Sequence, residues 1–392
     1  MSDPRFKVLT LNDISVSGLE RLPRERYEVA SEIGNPHAVL VRSADMHGMD
    51  LPASLLAVAR AGAGVNNVPV AALSQRGVPV FNAPGANANA VKELVLASLF
   101  LAARNLFEAV SFVRGLDLEG AALEQAVESG KKRFKGFELP GRTLGVIGLG
   151  AIGVEVANTA QALGMRVLGF DPQITVERAW QLSSSVTQAA SLEDLLARSD
   201  VVTLHVPLVA GTRSLINADR IRRMKQGSVL LNFARGPIVE EAALLQGLAS
   251  GRIARYLCDF PSDATARNER VIALPHLGAS TLEAEENCAV MAVDSLRGFL
   301  EHGEVRHSVN YPDATMPRTE GTRLVICNAN IPNMLGQIST ALAAADLNII
   351  DMLNRSKGEV AYTLVDVAGE VTDETVTRLA AIEGVLSTRR IR

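Results

Sequence analysis

Aromatic residues make up only 4% of this 392-residue chain, with a single tryptophan. Cysteine is scarcer still: Cys258, Cys288 and Cys327 are the only 3, far apart and without metal-ligand spacing. That excludes a disulfide scaffold and a cysteine-held metal centre, and no metal site is expected. Reduced, buried thiols and a cytoplasmic setting are expected instead. Long apolar runs are missing too. The longest, residues 94–103, falls far short of a membrane span, and Met1-Ser-Asp-Pro-Arg5 holds no hydrophobic signal segment. Nor does one sign of charge prevail: 39 Lys and Arg against 43 Asp and Glu give a net charge of −4. Neither nucleic acid nor a membrane surface is therefore an expected partner. What remains, 47% hydrophobic and 21% charged residues, is ordinary globular material for two or three domains.

One stretch organises the rest. Residues 143–147 read as a short buried strand, and Gly148, Gly150 and Gly153 follow as Gly-x-Gly-x-x-Gly. An Ala-rich helix then runs over 154–163. Glycine is needed here for a tight turn, for close approach of a pyrophosphate, and for packing the helix onto the strand. The free amides at the helix start face the phosphates. A second strand, 166–170, ends in Asp171, a carboxylate placed to accept from the adenosine ribose hydroxyls and to repel a 2′-phosphate. NAD is thus the expected cofactor, rather than NADP.

Residues 1–95 alternate strand and helix signals, with strands expected at 6–10, 38–42, 56–59 and 78–81 and a helix from Pro52. Two Gly- and Asn-rich turns, 61–67 and 82–89, follow strands and so fall on the carboxyl edge, where such sheets bind ligands. One long helix is expected over 88–114, crossing into the second domain. Lys131-Lys-Arg-Phe-Lys135 is a basic knot, read as a solvated charge run or as a guide for an anionic substrate. A helix over 282–301 returns the chain to the first domain. Beyond a polar linker at 309–320, the order βαββαβ indicates a split βαβ sandwich. The fold class is therefore α/β. It comprises two doubly wound parallel-sheet domains, a flavodoxin-like substrate domain (1–95 and 285–312) and a Rossmann NAD domain (96–284). A βαββαβ unit over 320–392 completes it.

Three residues fall at strand ends or loops of the central domain: Arg235, Asp263 and His276. Moving a hydride between a 2-hydroxy acid and NAD needs three services. A cation must hold the carboxylate and polarise the C2 oxygen, and only arginine offers a bidentate grip. A group titrating near neutrality must exchange the hydroxyl proton, which suits histidine. A carboxylate beside that histidine fixes its tautomer and raises its pKa.

The motifs Arg60-Ala-Gly-Ala-Gly-Val-Asn-Asn67, Gly148-Leu-Gly-Ala-Ile-Gly153, Asn232-Phe-Ala-Arg-Gly236 and Pro275-His-Leu-Gly-Ala-Ser-Thr281 resemble the D-isomer-specific 2-hydroxyacid dehydrogenase family. The resemblance covers essentially the whole chain, with the C-terminal unit similar to an ACT domain. It implies NAD-dependent oxidation of 3-phospho-D-glycerate to 3-phosphohydroxypyruvate, leading into serine synthesis. By the same match, Arg235 binds the carboxylate, His276 is the acid–base and Asp263 its partner. Arg42, Ser43, Ala63, Gly64 and Asn87 are implied substrate contacts. Gly148, Gly150, Ala151, Ile152, Gly153, Asp171, His205, Val206, Pro207, Thr212, Ala234, Asp259 and Gly278 are implied cofactor contacts. Asn328, Asn330 and Asn348 match an amino-acid effector site, with L-serine the implied effector, and a homodimer or homotetramer is implied.

One departure stands out. The family pattern Asp-Val-Phe-x-x-Glu-Pro reads Cys258-Asp-Phe-Pro-Ser-Asp263-Ala here. Aligned on Phe260, Asp263 replaces the glutamate and Cys258 an aspartate; a one-residue slip lets Asp259 supply the latter. Two rival readings remain at this level: a glyoxylate or hydroxypyruvate reductase, and a non-catalytic sensor of NADH or an amino acid.

Overall fold

The computed structural model describes residues 5–391; residues 1–4, part of the stretch expected to hold no signal segment, lie outside it. The chain divides into two compact units, one formed by the residues up to Asn87 together with those from Leu282 onward, the other by Ala88–Thr281.

The first unit holds two sheets. Strands β1 (Phe6–Leu11), β2 (Tyr27–Ala30), β3 (Ala38–Val41), β4 (Ala57–Arg60) and β5 (Val80–Phe81) form one parallel sheet in the order β2-β1-β3-β4-β5. This is a flavodoxin-like order. Alternate side chains explain why β3 reads as an unbroken apolar run: Ala38 and Leu40 enter one core, Val39 and Val41 another. The edge strand β2 escapes the sequence reading, and the helix expected from Pro52 gives way to one at Val70–Gln75. The return helix, Leu282–His302, buries Ala289, Ala292, Val293 and Leu296 against the β1–β5 sheet.

In the second unit β6 (Thr143–Ile147), β7 (Arg166–Phe170), β8 (Thr187–Gln188), β9 (Val201–Leu204), β10 (Ser228–Asn232), β11 (Ile253–Cys258) and β12 (Val271–Ala273) build one parallel sheet. Its order is β12-β11-β10-β9-β6-β7-β8, so the winding reverses between β6 and β9. Ligands of such sheets bind outside the carboxyl ends at that switch. The long helix expected over 88–114 is two helices, Ala88–Arg104 and Leu106–Arg114, bent by 66°. Asn105 makes the break by taking a left-handed φ of 49°, which asparagine tolerates. No single helix among the described residues is long and apolar enough to cross a membrane.

The C-terminal residues form β13 (Thr322–Ala329), β14 (Asn348–Lys357), β15 (Val360–Ala368) and β16 (Val385–Ile391), antiparallel in the order β14-β15-β13-β16. Helices Met334–Ala343 and Asp373–Ala380 share a core with one face, through Leu324, Ile326, Ile338, Leu342 and Leu379. The other face is not free. Val325, Cys327, Tyr362 and Leu364 join the core of the β1–β5 sheet with Phe299, Leu300 and Tyr311. Polar groups reinforce the seam at the end of the return helix. Arg389 donates to the carbonyls of Phe299 (2.5 Å) and Leu300 (3.1 Å), Arg323 to that of His302 (3.2 Å), and Tyr362 Oη to that of Gly303 (2.6 Å). Most of these are carbonyls that a helix end leaves without partners of its own; that of Phe299 also accepts from the Gly303 amide at 2.9 Å.

Candidate active site

The glycine turn after β6 is built as dinucleotide chemistry requires. Gly148 has φ +91°, and a Cβ there would lie 2.6 Å from the His205 carbonyl oxygen. At Gly153 a Cβ would lie 1.9 Å from the Gly148 oxygen, so this glycine sets the close packing of helix Ala151–Ala162. At Gly150 nothing lies within 4 Å, leaving open space for a ligand. No side chain caps this helix, so the amides of Ala151 and Ile152 keep their hydrogens for a phosphate. Asp171 accepts from the backbone amides of Leu149 and Gln173, both at 2.8 Å. Its carboxylate therefore braces the turn, and each oxygen retains a lone pair for a ribose hydroxyl.

At the end of β9, Thr203 Oγ1 and the Nε2 of His205, the residue after the strand, are hydrogen-bonded at 2.9 Å. Burial lowers the His205 pKa to about 4, so the ring is neutral at pH 7. Val206 and Pro207 open the following loop. Thr212 closes it, accepting from the Val209 amide at 2.9 Å and donating to the Pro207 carbonyl at 2.5 Å.

Arg235, Asp259, Phe260 and His276 come together at the carboxyl ends of β10, β11 and β12. The Arg235 guanidinium lies 5.3 Å from the centroid of the Phe260 ring and donates to the Ala234 carbonyl at 2.6 Å. Phe260 in turn packs against His276, centroids 4.4 Å apart and the rings tilted by 47°. Asp259 is 2% exposed and accepts from the Gly278 amide at 3.3 Å. Burial raises its pKa, against the pull of His276 first and of Arg235 last. Its second oxygen, Oδ1, is buried with no hydrogen-bond partner among the described residues. Cys258, the other residue of the altered motif, is buried in the core, and burial pushes its thiol up.

Asp263 lies four residues further along the chain. It is exposed as the first residue of helix Asp263–Ala266, behind the Ser262–Thr265 capping box. Asp259 is a carboxylate whose pKa the charge of His276 pulls down. Ser262 and Thr265 bond to each other and fix the start of the short helix.

In the first unit, Arg42 follows β3 and pairs with Glu285 on the return helix at 2.5 Å. The amide of Ser43 is taken by Asn12 Oδ1 at 3.0 Å. Ala63 accepts from Asn82 Nδ2 at 2.6 Å, tying the two expected turns together, with Gly64 half-buried beside it. Asn87 Oδ1 is buried and without a partner among the described residues. Arg60 is a site candidate that the sequence reading passed over. The ladder sets Val41 opposite Arg60, which brings its Nε within 3.0 Å of the Arg42 carbonyl. Its sequence signal is an arginine at a strand end, heading the glycine turn Arg60-Ala-Gly-Ala-Gly-Val-Asn-Asn67.

The three effector asparagines do not converge within the chain. Asn328 is 1% exposed and bonded internally, to the Ala329 carbonyl at 2.7 Å and to Thr363 at 3.3 Å. Asn330 donates to the Gly358 carbonyl at 3.0 Å. Asn348 pairs with Ala368, at the end of β15 remote from Ala361, the partner of Asn328.

A family model described as D-isomer specific 2-hydroxyacid dehydrogenase, NAD binding domain, matches residues 96–278. The chain is 35% identical over 347 residues to D-3-phosphoglycerate dehydrogenase of Haemophilus influenzae, covering 86% of this chain and 81% of that one. The enzyme of the same name from Escherichia coli is 32% identical over 339 residues, 83% and 79% of the two chains. Among solved structures, the NAD+-bound 3-phosphoglycerate dehydrogenase of Entamoeba histolytica superposes with a TM-score of 0.62 at 25% identity. That match covers 78% of this chain and 99% of the other.

Proposed function

This chain belongs to the D-isomer specific 2-hydroxyacid dehydrogenase family, and from that premise we propose that it oxidises 3-phospho-D-glycerate to 3-phosphohydroxypyruvate with NAD, the first step of L-serine synthesis. The observation that carries the reading is the cluster of Arg235, Asp259, Phe260 and His276 at three adjacent strand ends of a dinucleotide fold. When bound, NAD supplies the acceptor for the hydride that leaves C2. The glycine turn, the amides of Ala151 and Ile152, and Asp171 fit its phosphates and ribose. Arg235 holds the substrate carboxylate and polarises the C2 oxygen. His276 takes the hydroxyl proton, and its imidazolium is favoured by the buried charge of Asp259. Arg42 and Arg60 take the phosphate.

The test is NADH formation at alkaline pH from NAD and 3-phosphoglycerate, with and without L-serine. Turnover is expected. Its absence alongside reduction of glyoxylate or hydroxypyruvate would transfer the enzyme to the reductase reading, and absence of every turnover would leave only a sensor. Inhibition by serine would assign the C-terminal sheet as an effector unit; turnover indifferent to serine would leave it an assembly element.

Two further features belong to this reading. Phe107, Val110 and Val113 on helix Leu106–Arg114 are 57, 49 and 47% exposed, an apolar stripe suited to a second copy of the chain. A homodimer or homotetramer is the proposed state, and sedimentation returning a monomer would refute it. A cytoplasmic setting is supported by three cysteines that are all free and buried, and secretion in fractionated cells would contradict it.

A further inference from the structure

The anion-binding corner of the first unit contains a charge of the wrong sign. Arg42 and Arg60 end neighbouring strands, and the Arg42 backbone is pinned, its carbonyl accepting from Arg60 Nε at 3.0 Å and Asn67 Nδ2 at 3.3 Å. Yet the Arg42 guanidinium is already engaged by Glu285 Oε1 at 2.5 Å, with both side chains about a third exposed (34% and 36%). Burial pushes up the thiol of Cys288, one turn further along the return helix, with Arg60 and Arg42 pulling it down and Glu285 pushing it up. An ion pair this exposed stabilises a fold little, on the order of 0.2–1 kcal/mol. Its consequence for a ligand is larger than its consequence for stability. Any phosphate that takes Arg42 must displace Glu285 or sit beside a like charge.

We propose that Glu285 is a specificity-determining residue for the phosphate end of the substrate, a displaceable counter-ion that occupies Arg42 in the free enzyme. It gives way when a phosphate monoester binds and returns as the phosphorylated product leaves, so it sets how tightly the corner holds phosphate. The remote phosphate is gripped equally before and after hydride transfer, so weakening that grip raises KM without touching the chemical step. The proposal rests on the reading that Arg42 binds the substrate's phosphate.

The experiment uses inorganic phosphate as a competitive inhibitor against whichever 2-hydroxy acid the full-length enzyme turns over. Phosphate is expected to compete in the wild type. In Glu285→Gln its inhibition constant should fall about 2–5-fold, the equivalent of an exposed ion pair. In an Arg42→Gln background the same change should have no effect. Glu285→Ala, expected to behave alike, serves if Glu285→Gln melts below the wild type. An unchanged or raised inhibition constant in Glu285→Gln overturns the proposal, as does an equal fall without Arg42. If phosphate fails to compete in the wild type, the phosphate-subsite reading falls and this inference falls with it. Competition without tightening removes this inference alone.

Discussion

Two aspartates of one loop have opposite fates. Asp259 is buried beside His276 and Arg235, whereas Asp263 is exposed at a helix start. Burial holds the Asp259 pKa above its ordinary value, so the folded state binds that proton more tightly than the unfolded chain does. Stability contributed by such a group is present below the unfolded pKa and is lost as pH rises through the folded one. Asp259→Asn removes the buried charge and can keep the bond to the Gly278 amide. It is expected to melt higher than the wild type at pH 8, with the gain shrinking toward pH 4, and to turn over more slowly. His276→Ala should lose about 10²–10⁴-fold in turnover, and Asp259→Asn a part of that. Asp263→Asn should leave turnover near the wild-type rate, so a large loss there would restore Asp263 as the partner of His276. Arg235 and His276 were legible because strand ends in a dinucleotide fold point at the ligand. Asp259 was ambiguous because a one-residue slip turns a strand-end side chain over, and only the ladder Asn232↔Cys258↔Ala273 fixes that register. Arg60 likewise becomes a neighbour of Arg42 only once β3 and β4 are in register.

At the scale of elements, the glycine turn separates packing from ligand access. A Cβ at Gly153 would meet the Gly148 oxygen at 1.9 Å, while one at Gly150 would meet nothing within 4 Å. Gly153→Ala should therefore destabilise the second unit by about 1–3 kcal/mol, the range of overpacked sites. Gly150→Ala should melt within about 0.5 kcal/mol of the wild type, as changes away from close packing do, yet bind NAD more weakly. Thermal melts with a fluorescence titration of NADH read both. Equal stability losses would deny the division of roles. The period of buried strands made this turn and most of the sheet visible in the sequence. The break at Asn105 was not, because apolar spacing runs through it unbroken and only the backbone φ of 49° reveals it. The edge strand β2 was missed for another reason: Tyr27 is its only fully buried residue, so it carries little pattern.

For the whole molecule, the C-terminal sheet was expected to be a separate module, but its residues cap the return helix and complete the core of the β1–β5 sheet. Arg323 is the hub. Its side chain and that of Asp366 are both 0% exposed, joined at 2.7 and 2.9 Å, and it also donates to the carbonyls of His302, Met316 and Pro317. Sequence reading could not weigh this, since an arginine at the start of a strand is usually solvated. Burial pushes the Asp366 pKa up, but the bonds from Arg323 and Thr319 outweigh it and hold the carboxyl below its ordinary value. Its contribution is therefore present above the unfolded pKa and is lost as pH falls through the folded one. Arg323→Met should cost about 3–5 kcal/mol, because it strands a buried carboxylate. The pH trend is the sharper readout. Without Arg323, Asp366 should bind its proton more tightly folded than unfolded, reversing the sign of its linkage. The stability gap between wild type and Arg323→Met should then widen as pH rises through the carboxylate range. Adding Asp366→Leu should remove the mutant's share of that widening, leaving only the wild type's own gain from Asp366, while recovering only part of the loss, since three carbonyls still lack their donor. A gap that stays constant with pH would mean that the seam rests on apolar contacts alone and that the buried pair does not join the two sheets.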